Sequence, residues 1–286
     1  MKHFFKVKKD FDSLTACLTE AFAHLSLSTI KKQMRLGEVR LNGEKTTKDM
    51  RVQAGDEVKI FLPKANDFTQ KPLEIVYEDD FIIAVNKPIL CEVEVHLEGM
   101  VTKIYPNAKP VHRLDRNTRG IVLFSKTKNA NIELLKLFKE KRIIKYYRAH
   151  VAGIPKSKKC AAKVYLKKLA DKSLVLVSNT PKQGYIEALL DYEVIKELSD
   201  NTSVLDIKLI TGRTHQIRAT LAHLGYPIIG DGKYGNEQVN RTFSAQYQKL
   251  LAYRVIFDFK KGEVNALKHL ANTEINLKSL DFCQNS

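Results

Sequence analysis

Asp115 lies in the run Val111-His112-Arg113-Leu114-Asp115-Arg116-Asn117-Thr118-Arg119-Gly120, one carboxylate among three arginines and a histidine. The apolar, strand-like stretch Ile121-Val122-Leu123-Phe124 follows at once. Nearby positive charge favours the ionised form of an acid and lowers its pKa. An acid so placed suits a nucleophile or a fixed electrostatic partner better than a proton donor. An ionised carboxylate can trap an electron-poor carbon covalently or stabilise positive charge building beside it. The plain alternative is an ion pair on a turn.

Two further segments set polar groups at the edges of regular elements. Lys145-Tyr146-Tyr147-Arg148-Ala149-His150-Val151-Ala152-Gly153 alternates as a strand does, so Tyr146 and Tyr147 point to opposite faces and only one of them can look into a given pocket. Leu209-Ile210-Thr211-Gly212-Arg213 reads as a strand running into a glycine turn, and a helix from Thr214 to Leu224 follows, with Gly225 at its stop position and Pro227 beyond. Ile217, Leu221 and Leu224 form the buried stripe of that helix. A polar group at the helix entrance is held by rigid elements on both sides.

Other candidate chemistries are weak. His112-Arg113-Leu114-Asp115 is not a kinase H-R-D, because a leucine separates arginine from aspartate, and no D-F-G follows. Gly230-Asp231-Gly232-Lys233-Tyr234-Gly235 satisfies G-x-G-x-x-G but places an acid inside the supposed phosphate cradle, so it reads as a glycine-rich turn. His112, His215 and His223 have no carboxylate or cysteine at ligand spacing, and the last two lie about two helical turns apart, so no metal site is expected. Cys17, Cys91, Cys160 and Cys283 form no C-x-x-C pair and read as ordinary reduced thiols.

The elements that must position these groups fall into two parts. In the first sixty-odd residues, a helix-like stretch from Ser13 to Leu25 precedes a second from Thr29 to Leu36, with Ser28 as its N-cap and Gly37 as its stop. Hairpin material follows: Glu38 to Leu41, the tight-turn pair Asn42-Gly43, then Gly55-Asp56 and Glu57 to Leu62. Lys31, Lys32 and Arg35, with Arg40 just beyond, make a basic cluster that is either a solvated face or an RNA-backbone contact. Residues 64–72 read as a linker, and the larger domain begins near Leu73. There, Leu73 to Tyr77, Phe81 to Asn86 and Ile121 to Ser125 read as strands and Lys128 to Lys139 as an amphipathic helix. The lysine-rich region from Lys156 to Lys182 reads as a hairpin or an extended excursion over the surface.

Forty-eight basic against 32 acidic side chains give a net charge of +16 over 286 residues, which points to a polyanionic partner. No apolar run reaches the roughly 18 residues of a spanning helix. A cytoplasmic, monomeric protein without membrane partner is expected.

Three segments together resemble the RluA class of pseudouridine synthases: His112 to Gly120, Lys145-Tyr146-Tyr147, and Gly212-Arg213-Thr214-His215-Gln216-Ile217-Arg218 continuing to Asp231, with Asn86-Lys87-Pro88 ahead of them. Residues 11 to 63 are similar to the small S-four-type RNA-binding module, which gives domains at 1–63 and 73–286 around the linker. The resemblance implies an α+β fold: the small N-terminal domain plus a catalytic domain with a mixed, largely antiparallel sheet and flanking helices. It implies conversion of specific uridines in structured RNA to pseudouridine with base flipping, with large-subunit ribosomal RNA as substrate and transfer RNA as runner-up. It implies no cofactor, because the reaction is an isomerisation. Asp115 matches the family nucleophile, Arg213 the arginine that pairs with it, and Tyr147 the tyrosine that stacks on the uracil, with a base role in later proton removal as the alternative; attack on sugar or base stays open. Arg113 matches a position that enters the duplex in place of the extruded base, against the alternative of a phosphate contact, and Arg116 is a further RNA contact. Leu90 stands where the family commonly has glycine, Arg119 replaces a common serine, and residues 89–111 are fewer than is typical. Rival readings are a noncatalytic RNA-binding or ribosome-assembly protein, and a glycosidase, which would need a second carboxylate.

Overall fold

The computed structural model describes residues 2–22, 27–35, 37–61, 72–169 and 174–280. The expected linker therefore lies, apart from Pro72, outside the described residues, as does Leu25 at the end of the first expected helix. The chain divides into two compact units, Met1–Pro72 and Leu73–Ser286.

In the first unit, β1 (Lys2–Lys6), β2 (Val39–Leu41), β3 (Glu44–Thr46) and β4 (Glu57–Phe61) form a sheet in the order β1-β4-β2-β3, with α1 (Leu14–Ala21) and α2 (Leu27–Arg35). Ser13 caps α1 by accepting the Ala16 amide at 3.1 Å. The second helix departs from expectation: it already includes Leu27, so Ser28 lies inside it rather than at its cap. Asn42 and Gly43 both take positive φ (51° and 87°), the conformation of a tight two-residue hairpin between β2 and β3. Leu14, Leu18, Ile30, Val39, Val58 and Ile60 close the core. Lys31, Arg35 and Arg40 are exposed, while the side chain of Lys32 lies outside what is described.

The second unit is α+β, built on a large, mostly antiparallel sheet. Its strands are β5 (Ile75–Glu78), β6 (Ile82–Lys87), β7 (Lys109–Pro110), β8 (Arg119–Ser125), β9 (Ile143–Ala152), β10 (Lys159–Leu169), β11 (Leu174–Ser178), β12 (Ile186–Leu198), β13 (Thr202–Leu209), β14 (Leu250–Phe257) and β15 (Thr273–Asn276). The order is β11-β10-β12-β13-β9-β14-β8-β6-β5, with β15 paired to β14 and β7 to β8. One pairing is parallel: Leu251 and Ala252 of β14 against Arg119 and Gly120 of β8. Strand β14 thus joins the half that carries Asp115 to the half that carries Tyr147. Gly120 makes the approach possible, since a Cβ there would stand 2.1 Å from the Ala252 carbonyl oxygen, and its φ is 127°.

The helices are α3 (Glu98–Thr102), α4 (Lys128–Lys139), α5 (Gln216–His223) and α6 (Glu237–Thr242). α4 has the predicted bounds: Thr127 caps it by accepting the Ala130 amide, and Ala130, Leu134 and Leu137 pack with Ile121 and Leu123 of β8. α5 starts two residues later than expected because His215 adopts φ 52° and serves as N-cap in place of Thr214. Gln216 to Leu221 are all buried, so the helix is enclosed on more than the single stripe expected, and Leu224 is only half-buried.

Candidate active site

Asp115 sits on a turn closed by the Thr118 amide donating to its carbonyl at 3.0 Å. Two buried side chains fix that turn from below. Lys87, fully enclosed at the end of β6, donates through Nζ to the carbonyls of Cys91 (2.7 Å), Pro88 (2.9 Å) and Arg116 (3.2 Å). Burial pushes its amine down to about 8. Gln248 donates to Thr118 Oγ1 at 2.6 Å. His112 accepts the Leu123 amide on Nε2 at 3.0 Å, and burial first, then the charge of Lys145, holds its pKa well below the ordinary histidine value.

The guanidinium that meets Asp115 is that of Arg218 on α5, with Nη1 2.8 Å from Oδ2. This corrects the sequence expectation, which gave the pairing to Arg213. Arg213 lines the same cavity, but its Nε donates to the Glu187 carbonyl at 3.3 Å and its amide to Gln216 Oε1. Gln216 also accepts from Thr211 Oγ1 and donates to the Leu189 carbonyl, so one buried amide fixes the whole 211–216 turn.

Arg218 is itself anchored by Asp231, the acid inside the glycine-rich turn. Its Nε and Nη2 lie 2.7 and 2.9 Å from the two Asp231 oxygens, and the Asp231 carboxylate is entirely buried. This two-pronged pair fixes the plane of the guanidinium and leaves Nη1 for Asp115. Burial alone would raise the Asp231 pKa, but Arg218 and the amides of Lys233 and Tyr234 outweigh it and hold the carboxyl below its usual value. Burial would likewise disfavour the Arg218 charge, and the two carboxylates overcome it. The Tyr234 ring lies under the guanidinium, 5.3 Å from its carbon, while the Tyr234 hydroxyl accepts the Val175 amide at 2.8 Å and meets His215 Nδ1 at 2.9 Å.

Tyr147 faces the cavity that holds Asp115 and Arg218. Strand alternation sends Tyr146 to the other face, where the Arg254 guanidinium stacks 4.0 Å from its ring. Burial first and the Asp115 charge second raise the Tyr147 pKa, so its phenol stays protonated and offers a flat apolar face. At the rim, Arg113 is exposed and bonded through Nη1 to both oxygens of Glu94 (2.8 and 2.9 Å), and Arg116 donates to the Leu90 carbonyl. Leu90 takes φ 63°, a left-handed conformation that suits glycine better than leucine. His223 bonds Asn179 at 2.8 Å.

An acid, a fixed guanidinium and an aromatic platform in one cavity can hold a flat base beside a nucleophilic oxygen. The family model described as RNA pseudouridylate synthase matches residues 83–223. An RNA pseudouridine synthase of Aquifex aeolicus is 32% identical over 256 residues, covering 81% of this chain and 79% of that protein. The ribosomal large subunit pseudouridine synthase C of Buchnera aphidicola is 30% identical over 279 residues, 87% of each chain. The dual-specificity RNA pseudouridine synthase RluA of Escherichia coli is 37% identical over 184 residues, 59% of this chain and 80% of its own. Among solved structures, human RNA pseudouridylate synthase domain containing 1 shares the fold, with TM-score 0.63 and 23% identity over 78% of this chain and 90% of that one. The chain belongs to the RNA pseudouridine synthase family. It is an isomerase that acts on RNA.

Proposed function

We propose that this enzyme converts specific uridines of structured ribosomal RNA to pseudouridine, with Asp115 as the attacking group. The observation that carries the reading is the chain Asp115–Arg218–Asp231, which holds a partly accessible carboxylate against a buried cation inside a cavity walled by Tyr147. Ribosomal RNA of the large subunit is the favoured substrate because similar proteins, such as that of Buchnera, carry that activity in their names. A uridine stacked in RNA hides its glycosidic bond, so the nucleotide must be extruded at a cost of a few kcal/mol. Tyr147 would receive the flipped base by stacking. Its raised pKa disfavours the alternative role of base.

Arg113, exposed at the rim, would fill the vacated stack. It must first leave Glu94, and an exposed pair of this kind holds it by only about 0–1 kcal/mol. Arg213 and Arg116 would contact the nucleotide and the backbone at the rim. Lys31, Lys32, Arg35 and Arg40 would bring a second basic surface from an S-four-type unit.

The test is Asp115→Asn on RNA carrying uridine tritiated at carbon 5. Release of tritium should fall by at least about 10³-fold while RNA binding is retained. Persistent release would overturn the assignment. Supplying ribosomal and transfer RNA separately identifies the substrate.

A further inference from the structure

We propose that Lys145 is a catalytic residue whose ammonium meets a carbonyl oxygen of the target uracil and stabilises the negative charge the base acquires during the reaction. The inference rests on the reading of Asp115 given above.

Lys145 precedes Tyr147 by two residues on β9, so both project from the same face of the sheet, and both line the cavity of Asp115 and Arg218. Its Nζ is confined: it lies 5.5 Å from the centre of the Phe138 ring and 3.7 Å from where a Cβ on Gly212 would stand. The other enclosed cations of the site are satisfied. Arg218 holds two carboxylates and Lys87 three carbonyls. The Lys145 ammonium makes no hydrogen bond or ion pair among the described residues, where it has only the Phe138 ring beside it, and burial lowers the amine to about 8 with no acid to offset it. A desolvated cation with only a ring beside it, and no anion or acceptor, is costly to fold. It becomes favourable when an anion forms beside it in a site that excludes water.

The reaction supplies that anion. If Asp115 attacks the sugar, the C1′–N1 bond breaks with its electron pair going to the base, and an Oδ–C1′ bond forms. The uracil anion spreads its charge over N1, O2 and O4. Rejoining then forms C5–C1′ as Oδ–C1′ breaks and its pair returns to the carboxylate, while C5 loses one proton and N1 gains one. If Asp115 adds instead to C6, the displaced pair of the C5–C6 double bond moves onto O4. On either route a carbonyl oxygen gains charge, and the N–H groups of Lys145 meet it without net proton transfer.

The experiment compares the full-length enzyme with Lys145→Met, Lys145→Gln and Lys145→Arg in single turnover, on an RNA bearing uridine at the target and on the same RNA bearing 5-fluorouridine, scored on both as loss of the N1-linked nucleotide, because C5 of the fluorinated base has no proton to release. Fluorine withdraws electrons and stabilises the pyrimidine anion, so it should partly replace the missing ammonium. Met and Gln should each slow conversion of the uridine RNA by about 100-fold with affinity within about threefold, as for loss of one oxyanion-stabilising donor. The deficit should shrink to about tenfold or less on 5-fluorouridine, and Arg should restore much of the rate. Conversion within threefold of wild type, a deficit equal on both RNAs, or a loss confined to binding would each overturn the proposal. Activity in Asp115→Asn would instead overturn the reading beneath it. If Met fails to fold, Gln and Arg carry the comparison.

Discussion

At the scale of single residues, the site was legible in part. Asp115 and Tyr147 stand out because a lone acid among arginines and a tyrosine on an alternating strand are local patterns. The partner of Asp115 is not a local fact. Arg213 is conspicuous at a glycine turn, yet the pairing falls to Arg218, 103 residues from Asp115 in sequence. A signal was present: Arg218 is the lone arginine among Ile217, Ala219 and Leu221 of a short helix, and a charge so enclosed needs an acid. The acid is Asp231, inside the glycine-rich turn 230–235, where a G-x-G-x-x-G pattern draws attention to the glycines and not to the carboxylate. Accordingly, Arg218→Lys, which keeps the charge but loses the fork, should lower kcat by about 10²-fold, whereas Arg213→Ala should act mainly on KM. Steady-state tritium release separates the two. Lys87 makes a different prediction. Its amine is protonated up to its ordinary value in the unfolded chain but only up to about 8 in the folded one, so the unfolded state binds more protons above pH 8. Wild-type stability relative to Lys87→Met should therefore rise from about pH 8 toward the ordinary lysine value, as urea unfolding at several pH values would register. A difference that stays flat with pH would contradict the enclosed, three-carbonyl setting of this amine.

At the scale of elements, α4 was readable because cap, periodicity and termination all agree over Lys128–Lys139. The start of α5 was not, because the αL turn at His215 is imposed by tertiary contacts, including the Tyr234 hydroxyl. Strand β14 and its neighbours were hidden for a related reason. Periodicity reports a strand's faces and says nothing of which strand lies beside it. The parallel contact of β14 with β8 is the most constrained of these pairings. Gly120→Ala would drive a methyl into the Ala252 carbonyl and should cost about 2–4 kcal/mol, with activity falling in step as the Asp115 turn loses its support. Chemical denaturation together with the tritium assay would show the two losses moving together. Unchanged stability would mean that the approach of the two strands is slack.

At the scale of the whole molecule, a net charge of +16 makes affinity for RNA an electrostatic quantity. Binding should weaken by about 10³-fold between roughly 50 and 200 mM salt if some six phosphates are neutralised. Removing the first unit, Met1–Pro72, should reduce affinity by about 10- to 100-fold while leaving the rate at saturation within about threefold, because avidity and not chemistry is lost. The position of β14 has one more implication. The strands β5, β6 and β8 meet β9 and β13 only across β14, and β14 is made of Leu250–Phe257, late in the chain. A chain that lacks this segment lacks the strand that joins the half carrying Asp115 to the half carrying Tyr147. Chains cut before Leu250 should therefore release no tritium from RNA labelled at carbon 5, whatever RNA affinity they keep, and activity in such a truncated chain would show that β14 is dispensable.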